Sequence, residues 1–411
     1  MAGDEGLLDM ARRLLALGHV VGFEGLPDLV EECGALAGLM SARVFVADLR
    51  NEALCEMTGR GPDAGEGGTR FPIDGSQPGS TFADNHPLRE PAGGVDGADR
   101  WWVPILDGTE RLGVLRVDPV PRAGEDSGVR EAARMLASLV ALMLVSKRAS
   151  SDAYARLTRR RRMTVAAELE WNLMPPLAFA NNDVVIAAAA EPAYDIGGDA
   201  FDYSVAGRTA HLAVFDAMGH DSSAGLTASV AVAAFRNLRR QGAGLVAVGE
   251  GIEKELVDQF GGSSYATAVL AELDLSDGVF CWVSRGHPPP IVIRHGRWVT
   301  GLECEPAHPL GMNLGLEATV CQEQLAPGDR IVLYTDGITE ARDRSGREFG
   351  VARFIEFLNR HQAEGLPVPE TLRRLMQAII ALNRGQLSDD ASVLCLEWRG
   401  SSRNLELRPN G

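Results

Sequence analysis

Ile331-Val332-Leu333-Tyr334-Thr335-Asp336-Gly337-Ile338-Thr339-Glu340 is the stretch from which the rest of the chain is read. A run of β-favouring residues leads straight into an acid and a glycine, which puts the Asp336 carboxylate at the tip of a buried strand. Leu212-Ala213-Val214-Phe215 ends in the same way at Asp216, and Asp389-Asp390 precedes the apolar run Ala391 to Leu396 in mirror order. A further acid, in Gly197-Gly198-Asp199, follows the apolar run Val184 to Ala190. Taken singly, Asp336-Gly337 is a hairpin corner and Asp389 a solvated turn residue. Taken together, Asp199, Asp216, Asp336 and Asp389 are hard oxygen donors gathered at strand ends. That is a cage for divalent cations.

Around these acids the pattern predicts strands at 184–190, 209–215, 265–273, 279–284, 290–294, 318–324, 330–335 and 392–398. Ser276-Asp277-Gly278 and His295-Gly296 turn neighbouring strands into hairpins, so much of the sheet is antiparallel. Helices are expected at 223–240, 246–260, about 351–361 and 370–382. In the last, Leu372, Leu375, Met376, Ile379 and Ile380 make one wide apolar face, as a helix laid on a sheet requires. Strands in the middle with helices outside give an α+β unit from 175 to 400, built as an α-β-β-α sandwich.

The pieces Leu173-Met174-Pro175, Gly197-Gly198-Asp199-Ala200-Phe201-Asp202, Asp216-Ala217-Met218-Gly219-His220, Gly286-His287-Pro288-Pro289-Pro290, Pro309-Leu310-Gly311, Tyr334-Thr335-Asp336-Gly337 and Asp389-Asp390-Ala391-Ser392-Val393 follow one another along the chain. In order and spacing they resemble the SpoIIE/RsbU branch of the protein phosphatase 2C-type serine/threonine phosphatases, from about Val165 to Trp398. Three positions depart from that branch. Ala217 stands where valine is usual, Asp221 where glycine is usual, and Arg285 where a small residue is usual.

The resemblance implies a site with two ions, Mn²⁺ or Mg²⁺. Asp216 would bridge them, Asp336 and Asp389 would hold one, and Asp199 with the Ala217 backbone carbonyl the other. Gly198, Gly337 and Asp390 would support these ligands from behind. Such ions neutralise a phosphomonoester and lower the pKa of a bound water, so no cysteine or serine nucleophile is needed. His220 lies near Asp216 but not at the spacing of the histidine in the family's animal relatives, where this chain has Met218. It is read as a loop histidine, and His287 as a turn residue bonded to backbone. The implied substrate is a phosphorylated STAS-type anti-anti-sigma regulator. A non-catalytic docking protein on the same fold is the competing reading, disfavoured because it has no reason to keep repelling carboxylates together.

N-terminal to this unit, 127–174 reads as an unbroken helical linker joining sensor to effector, and as a possible pairing surface for a homodimer. Its Arg159-Arg160-Arg161-Arg162 run is a solvated face or a partner for acids. Residues 1–122 form a first unit. Leu7, Met10, Leu14 and Leu15 recur at helical spacing, and a second helix opens at Pro27. Strands follow at 42–49 and 101–106, the latter turning through Asp107-Gly108 into Arg111-Leu112-Gly113-Val114-Leu115-Arg116-Val117. This order, and that hairpin above all, resembles a GAF sensory domain with an unidentified ligand or partner. Trp101 and Trp102 either line its pocket or pack in its core.

At 411 residues the chain has room for two or three domains, and its net charge of −16 opposes both nucleic acid and anionic membranes. It contains no apolar run of membrane-spanning length and no signal segment at its start. The only lysines, Lys147 and Lys254, lie outside any glycine-rich loop, which excludes a Walker-type nucleotide site. Six scattered cysteines without Cys-x-x-Cys spacing indicate neither zinc nor disulfides, and so a reduced, cytoplasmic protein.

Overall fold

The computed structural model describes residues 2–91, 99–120, 126–191, 194–195, 197–219, 221–294, 297–299, 302–382, 387 and 389–400. They divide into two compact units, Met1–Arg162 and Met163–Gly411.

The first unit opens with α1 (Ala2–Gly18) and α2 (Leu26–Leu36), followed by β1 (Leu39–Ala47), β2 (Ala53–Glu56) and β3 (Arg70–Pro72). Next come α3 (Gln77–Asp84), β4 (Leu88–Glu90), β5 (Arg100–Asp107), β6 (Glu110–Pro119), α4 (Asp126–Arg148) and α5 (Asp152–Thr158). The strands pair in the order β3-β2-β1-β6-β5-β4, antiparallel throughout, with β5 and β6 forming the expected hairpin. Side chains alternate across β1. Val44 and Val46 meet Leu14, Val30, Leu136 and Val140 from the helices on one face, while Phe45 meets Phe82 of α3 and Trp102 on the other. Trp101 and Trp102 therefore part to opposite faces, and both are buried in the core. Core packing is the correct reading of the pair.

The unbroken helix expected over 127–174 is instead three pieces: α4, α5 and α6 (Val165–Leu173). The breaks have local causes. The Ser151 side chain accepts from Tyr154 N and the Thr164 side chain from Ala167 N, so each residue starts a new helix as its N-cap. The stretch between α5 and α6 carries the arginines, and Arg160 reaches Glu52 at 2.5 Å and Asp48 at 3.4 Å. Of the two roles weighed for that cluster, partnering acids is the one Arg160 fills.

After α6 the second unit continues with β7 (Ala178–Ala180), β8 (Val184–Glu191), β9 (Asp199–Ala206) and β10 (Thr209–Ala217). Then follow α7 (Ser222–Arg240), α8 (Leu245–Phe260), β11 (Ala266–Asp274), β12 (Val279–Arg285), β13 (Ile291–Arg294) and β14 (Arg297–Val299). The unit closes with β15 (Cys321–Gln324), β16 (Arg330–Tyr334), α9 (Asp336–Glu340), α10 (Gly350–Ala363), α11 (Val368–Leu382) and β17 (Ala391–Trp398). Two antiparallel sheets result, β15-β12-β11-β10-β9 and β14-β13-β16-β17-β8-β7.

Alternation along the strands builds four layers. Leu212 and Val214 of β10 face Ile331, Leu333, Leu394 and Leu396 of the other sheet across an apolar core. Ala213, Phe215 and Ala217 face outward onto Val232 and Phe235 of α7 and Ile252 and Leu256 of α8. On the far side, Val332, Tyr334 and Val393 meet Phe354 of α10 and Leu372, Leu375 and Ile379 of α11. This is the expected sandwich flanked by helices.

Two details correct the sequence reading. Asp336 does not sit on a strand tip, because β16 ends at Tyr334 and Asp336 opens α9. Cys304 and Cys321 form a disulfide, although no cysteine spacing signalled one. Their Cα atoms lie 5.8 Å apart only because the chain between them doubles back to β15 on the edge of its sheet. No helix among the described residues is long and apolar enough to cross a membrane.

Candidate active site

One end of the sandwich collects acids because strand parity points them inward there. Asp216 shares the parity of Leu212 and Val214, and its register partner across the hairpin is Asp199, at the start of β9. Asp199 shares the parity of Phe201 and Tyr203, which face the inter-sheet core. In the other sheet Thr335 continues the parity of Ile331 and Leu333, and Asp390 that of Leu394 and Leu396. β10 ends, β9 begins, β16 has just ended and β17 is about to begin at this same place.

Hydrogen bonds join the two sheets across it. The Thr335 hydroxyl donates to Asp199 Oδ2 at 2.6 Å, while Ser392 N donates to Thr335 Oγ1 at 2.9 Å and Thr335 N to Ser392 O at 3.0 Å. Gly197 N donates to Asp390 Oδ2 at 3.0 Å, and Ala217 N to Gly198 O at 2.9 Å. Gly337 must be glycine, since a Cβ there would lie 1.9 Å from the Asp390 carbonyl oxygen. That close approach locks the start of α9 to the loop carrying Asp389.

The carboxylates feel one another. Burial, then Asp336, Asp389 and Asp390, pushes Asp216 up to about 7. Asp199, 2% exposed, is held well above the ordinary carboxylate range by burial, then by Asp216 and Asp390. Burial and Asp389 likewise raise Asp336. Five acids from four segments thus form one electrostatic group. None of Asp199, Asp216, Asp336 and Asp389 makes an ion pair with a described arginine or lysine.

Asp202, within the same motif as Asp199, is not one of them. Its parity turns it outward, where Arg236 Nε donates at 2.9 Å and Arg239 also binds it. His287 is buried and bonded to backbone, as expected: its Nε2–H donates to Tyr334 O at 2.9 Å. Its Nδ1 then accepts from the Thr267 hydroxyl at 2.7 Å, and burial lowers its pKa to about 4. It is a neutral brace behind the Tyr334–Asp336 stretch. His220 lies outside the described residues. Asp221 replaces glycine without strain, because the positive φ of that loop falls on Gly219, at +91°. Asp221 itself is extended and caps α7 by accepting from Ser223 N and Ala224 N.

Sequence reasoning missed Thr335 and Glu170. Thr335 was legible, two residues beyond Leu333 on the same inward face. Glu170 of α6 was not. It is 1% exposed, neither carboxyl oxygen has a hydrogen-bond partner, and burial with the nearby Asp390 pushes it up to about 8.

Among the described residues no three His, Cys, Asp or Glu side chains close on a common point as a ready cage. The donor chemistry nevertheless fits a divalent cation: several partly buried carboxylates converge with no described cation paired to the four named as ligands. Residues 206–399 match the family model described as Stage II sporulation protein E (SpoIIE). The C-terminal unit is a SpoIIE-family phosphatase domain of the protein phosphatase 2C type. Phosphoserine phosphatase RsbU of Bacillus subtilis (strain 168) is 22% identical to the chain over 239 residues, 56% of this chain and 68% of that one. Protein IcfG of Synechocystis sp. is 28% identical over 140 residues, 33% of this chain and 21% of that one. A solved structure of the RsbU and RsbW domains of a Mycobacterium tuberculosis protein is 25% identical, with a TM-score of 0.47. It overlaps 56% of this chain and 64% of its own, so the chain spans less than two thirds of it.

Proposed function

We propose that the SpoIIE-family domain is a metal-dependent phosphoserine/phosphothreonine protein phosphatase whose acids Asp199, Asp216, Asp336 and Asp389, with the Ala217 carbonyl, hold two Mn²⁺ or Mg²⁺ ions. The observation that carries this reading is the inward pairing of Asp199 with Asp216 at the end where burial and neighbouring carboxylates, Asp390 among them, raise their proton affinity. Bound divalent ions would neutralise the phosphate and supply a hydroxide at neutral pH. Asp216, central among the acids, would face both ions; Asp336 and Asp389 would serve one and Asp199 with Ala217 the other. Thr335 orients Asp199, and Gly337 with Asp390 fixes the α9 start. His287 supplies no proton, since both ring nitrogens are engaged and the ring is neutral.

The substrate we favour is a phosphorylated STAS-type regulator, in keeping with the phosphoserine phosphatase named among the relatives. The first unit, an antiparallel six-stranded sheet with helices on both faces, is proposed as a GAF-like sensor controlling this activity in a homodimer. Phosphate release from phosphoserine proteins and from p-nitrophenyl phosphate tests the catalytic reading. Mn²⁺ or Mg²⁺ should support turnover and EDTA abolish it. Full turnover in excess chelator would place the chemistry elsewhere.

A further inference from the structure

Arg285, one of the three departures from the family pattern, is 2% exposed and its partner is Glu253 of α8. Glu253 is a hub. Its Oε2 accepts from Arg285 Nη2 at 3.0 Å and from Gly311 N at 2.8 Å. Its Oε1 accepts from Asn313 N, and His308 Nε2 lies 3.3 Å from the same oxygen. One carboxylate thereby holds the 308–313 segment onto α8 and the end of β12. The segment has little freedom to find another seat. Gly311 has φ +97°, and a Cβ there would lie 2.7 Å from Ser264 O.

From this segment a hydrogen-bonded ladder runs to the acids. Leu310 and Ala266 exchange both backbone bonds, at 2.8 and 2.9 Å. Ala266 is the register partner of Ala217, whose N–H in turn donates to Gly198 O, next to Asp199. We propose that Glu253 is a positioning residue: by clamping 308–313 against β11 it fixes the Ala217 end of β10, and with it the backbone carbonyl and Asp216 carboxylate that face the metal site. The proposal rests on the metal-dependent reading above. Breaking the clamp would also leave the buried Arg285 charge without its counter-ion, which adds to the cost of losing the carboxylate.

The test uses the full chain with Glu253→Ala and Glu253→Gln, the latter keeping one carbonyl oxygen for Gly311 N. Hydrogen exchange read on peptides should rise about tenfold or more in both 308–314 and 214–218 for Glu253→Ala, with 391–398 unchanged. Mn²⁺ affinity measured by titration calorimetry should weaken about tenfold. Hydrolysis of p-nitrophenyl phosphate should fall at limiting Mn²⁺ and recover at saturating Mn²⁺, a rescue that mere loss of stability would not give. Glu253→Gln should fall between wild type and Glu253→Ala, and it carries the same comparison if Glu253→Ala does not fold. Faster exchange confined to 308–314, with 214–218 and Mn²⁺ affinity at wild-type values, would overturn the proposal. A wild type that neither binds Mn²⁺ nor hydrolyses phosphoester would overturn the metal reading instead, and the exchange comparison would still decide whether Glu253 holds β10.

Discussion

Asp336 opens a helix within reach of Asp389 and Asp216, and the three repel one another when no cation lies among them. Asp336→Asn keeps the shape and removes the charge. Phosphoester hydrolysis should fall about a hundredfold or more, while the melting temperature without metal holds or rises. Near-normal turnover in this variant would remove Asp336 from the site. Glu170 gives a sharper residue-scale test, because its buried carboxyl meets no donor. Its folded pKa of about 8 lies above its ordinary 4.5, so the folded state holds the proton more tightly than the unfolded chain does. Stability is therefore lost as pH rises from about 4.5 to about 8, by on the order of 5 kcal/mol, and is flat beyond. Glu170→Gln should melt close to wild type at pH 5 and well above it at pH 8.5. Parallel pH–melting curves for the two proteins would refute a buried, unpartnered acid.

At the scale of elements, α7 is the helix that covers β10, and its start is fixed by Asp221. Replacing Asp221 by Ala removes the acceptor for Ser223 N and Ala224 N and should cost roughly 1 kcal/mol, about 2–4 °C in melting temperature. Asp221→Gly restores the residue usual in the family and should cost only a few tenths of a kcal/mol. Equal losses for Ala and Gly, read by thermal melting, would mean that the side chain does not cap. The breaks before Asp152 and Val165 matter in the same way. Each new N-cap ends a stretch over which helical phase could be transmitted, so α4, α5 and α6 are three short levers and not one rod.

For the whole molecule, a cluster of acids that raise one another's proton affinity is a destabilising feature until a cation binds. A ligand that binds only the folded state stabilises it by about 2.7 kcal/mol at a hundred times its dissociation constant. Mn²⁺ should accordingly raise the melting temperature of the chain, and EDTA should return it to the metal-free value. The gain should be largest near pH 7–8, where the proton competes least for the carboxylates. A melting temperature indifferent to Mn²⁺ would contradict the proposed ligand set.

The α-β-β-α order of the second unit and the strand-end place of Asp216 were legible in the sequence, because apolar period two and period 3.6 are local signals. Val184 to Glu191, Thr209 to Ala217 and Ala391 to Trp398 each announce themselves without any knowledge of their neighbours. β9 was overlooked: its glycine-rich approach hid an alternation, Asp199-Phe201-Tyr203, that mattered only once it paired with β10. Register is what the sequence alone could not supply. Opposing Asp199 to Asp216, bringing Thr335 of one sheet to Asp199 of the other, and turning Asp202 away onto Arg236 all depend on how strands from distant parts of the chain align. The Cys304–Cys321 bond, the burial of Glu170 and the Glu253 hub have the same origin. Each joins groups whose separation along the chain carries no periodic signal, and each depends on how the folded chain brings them together.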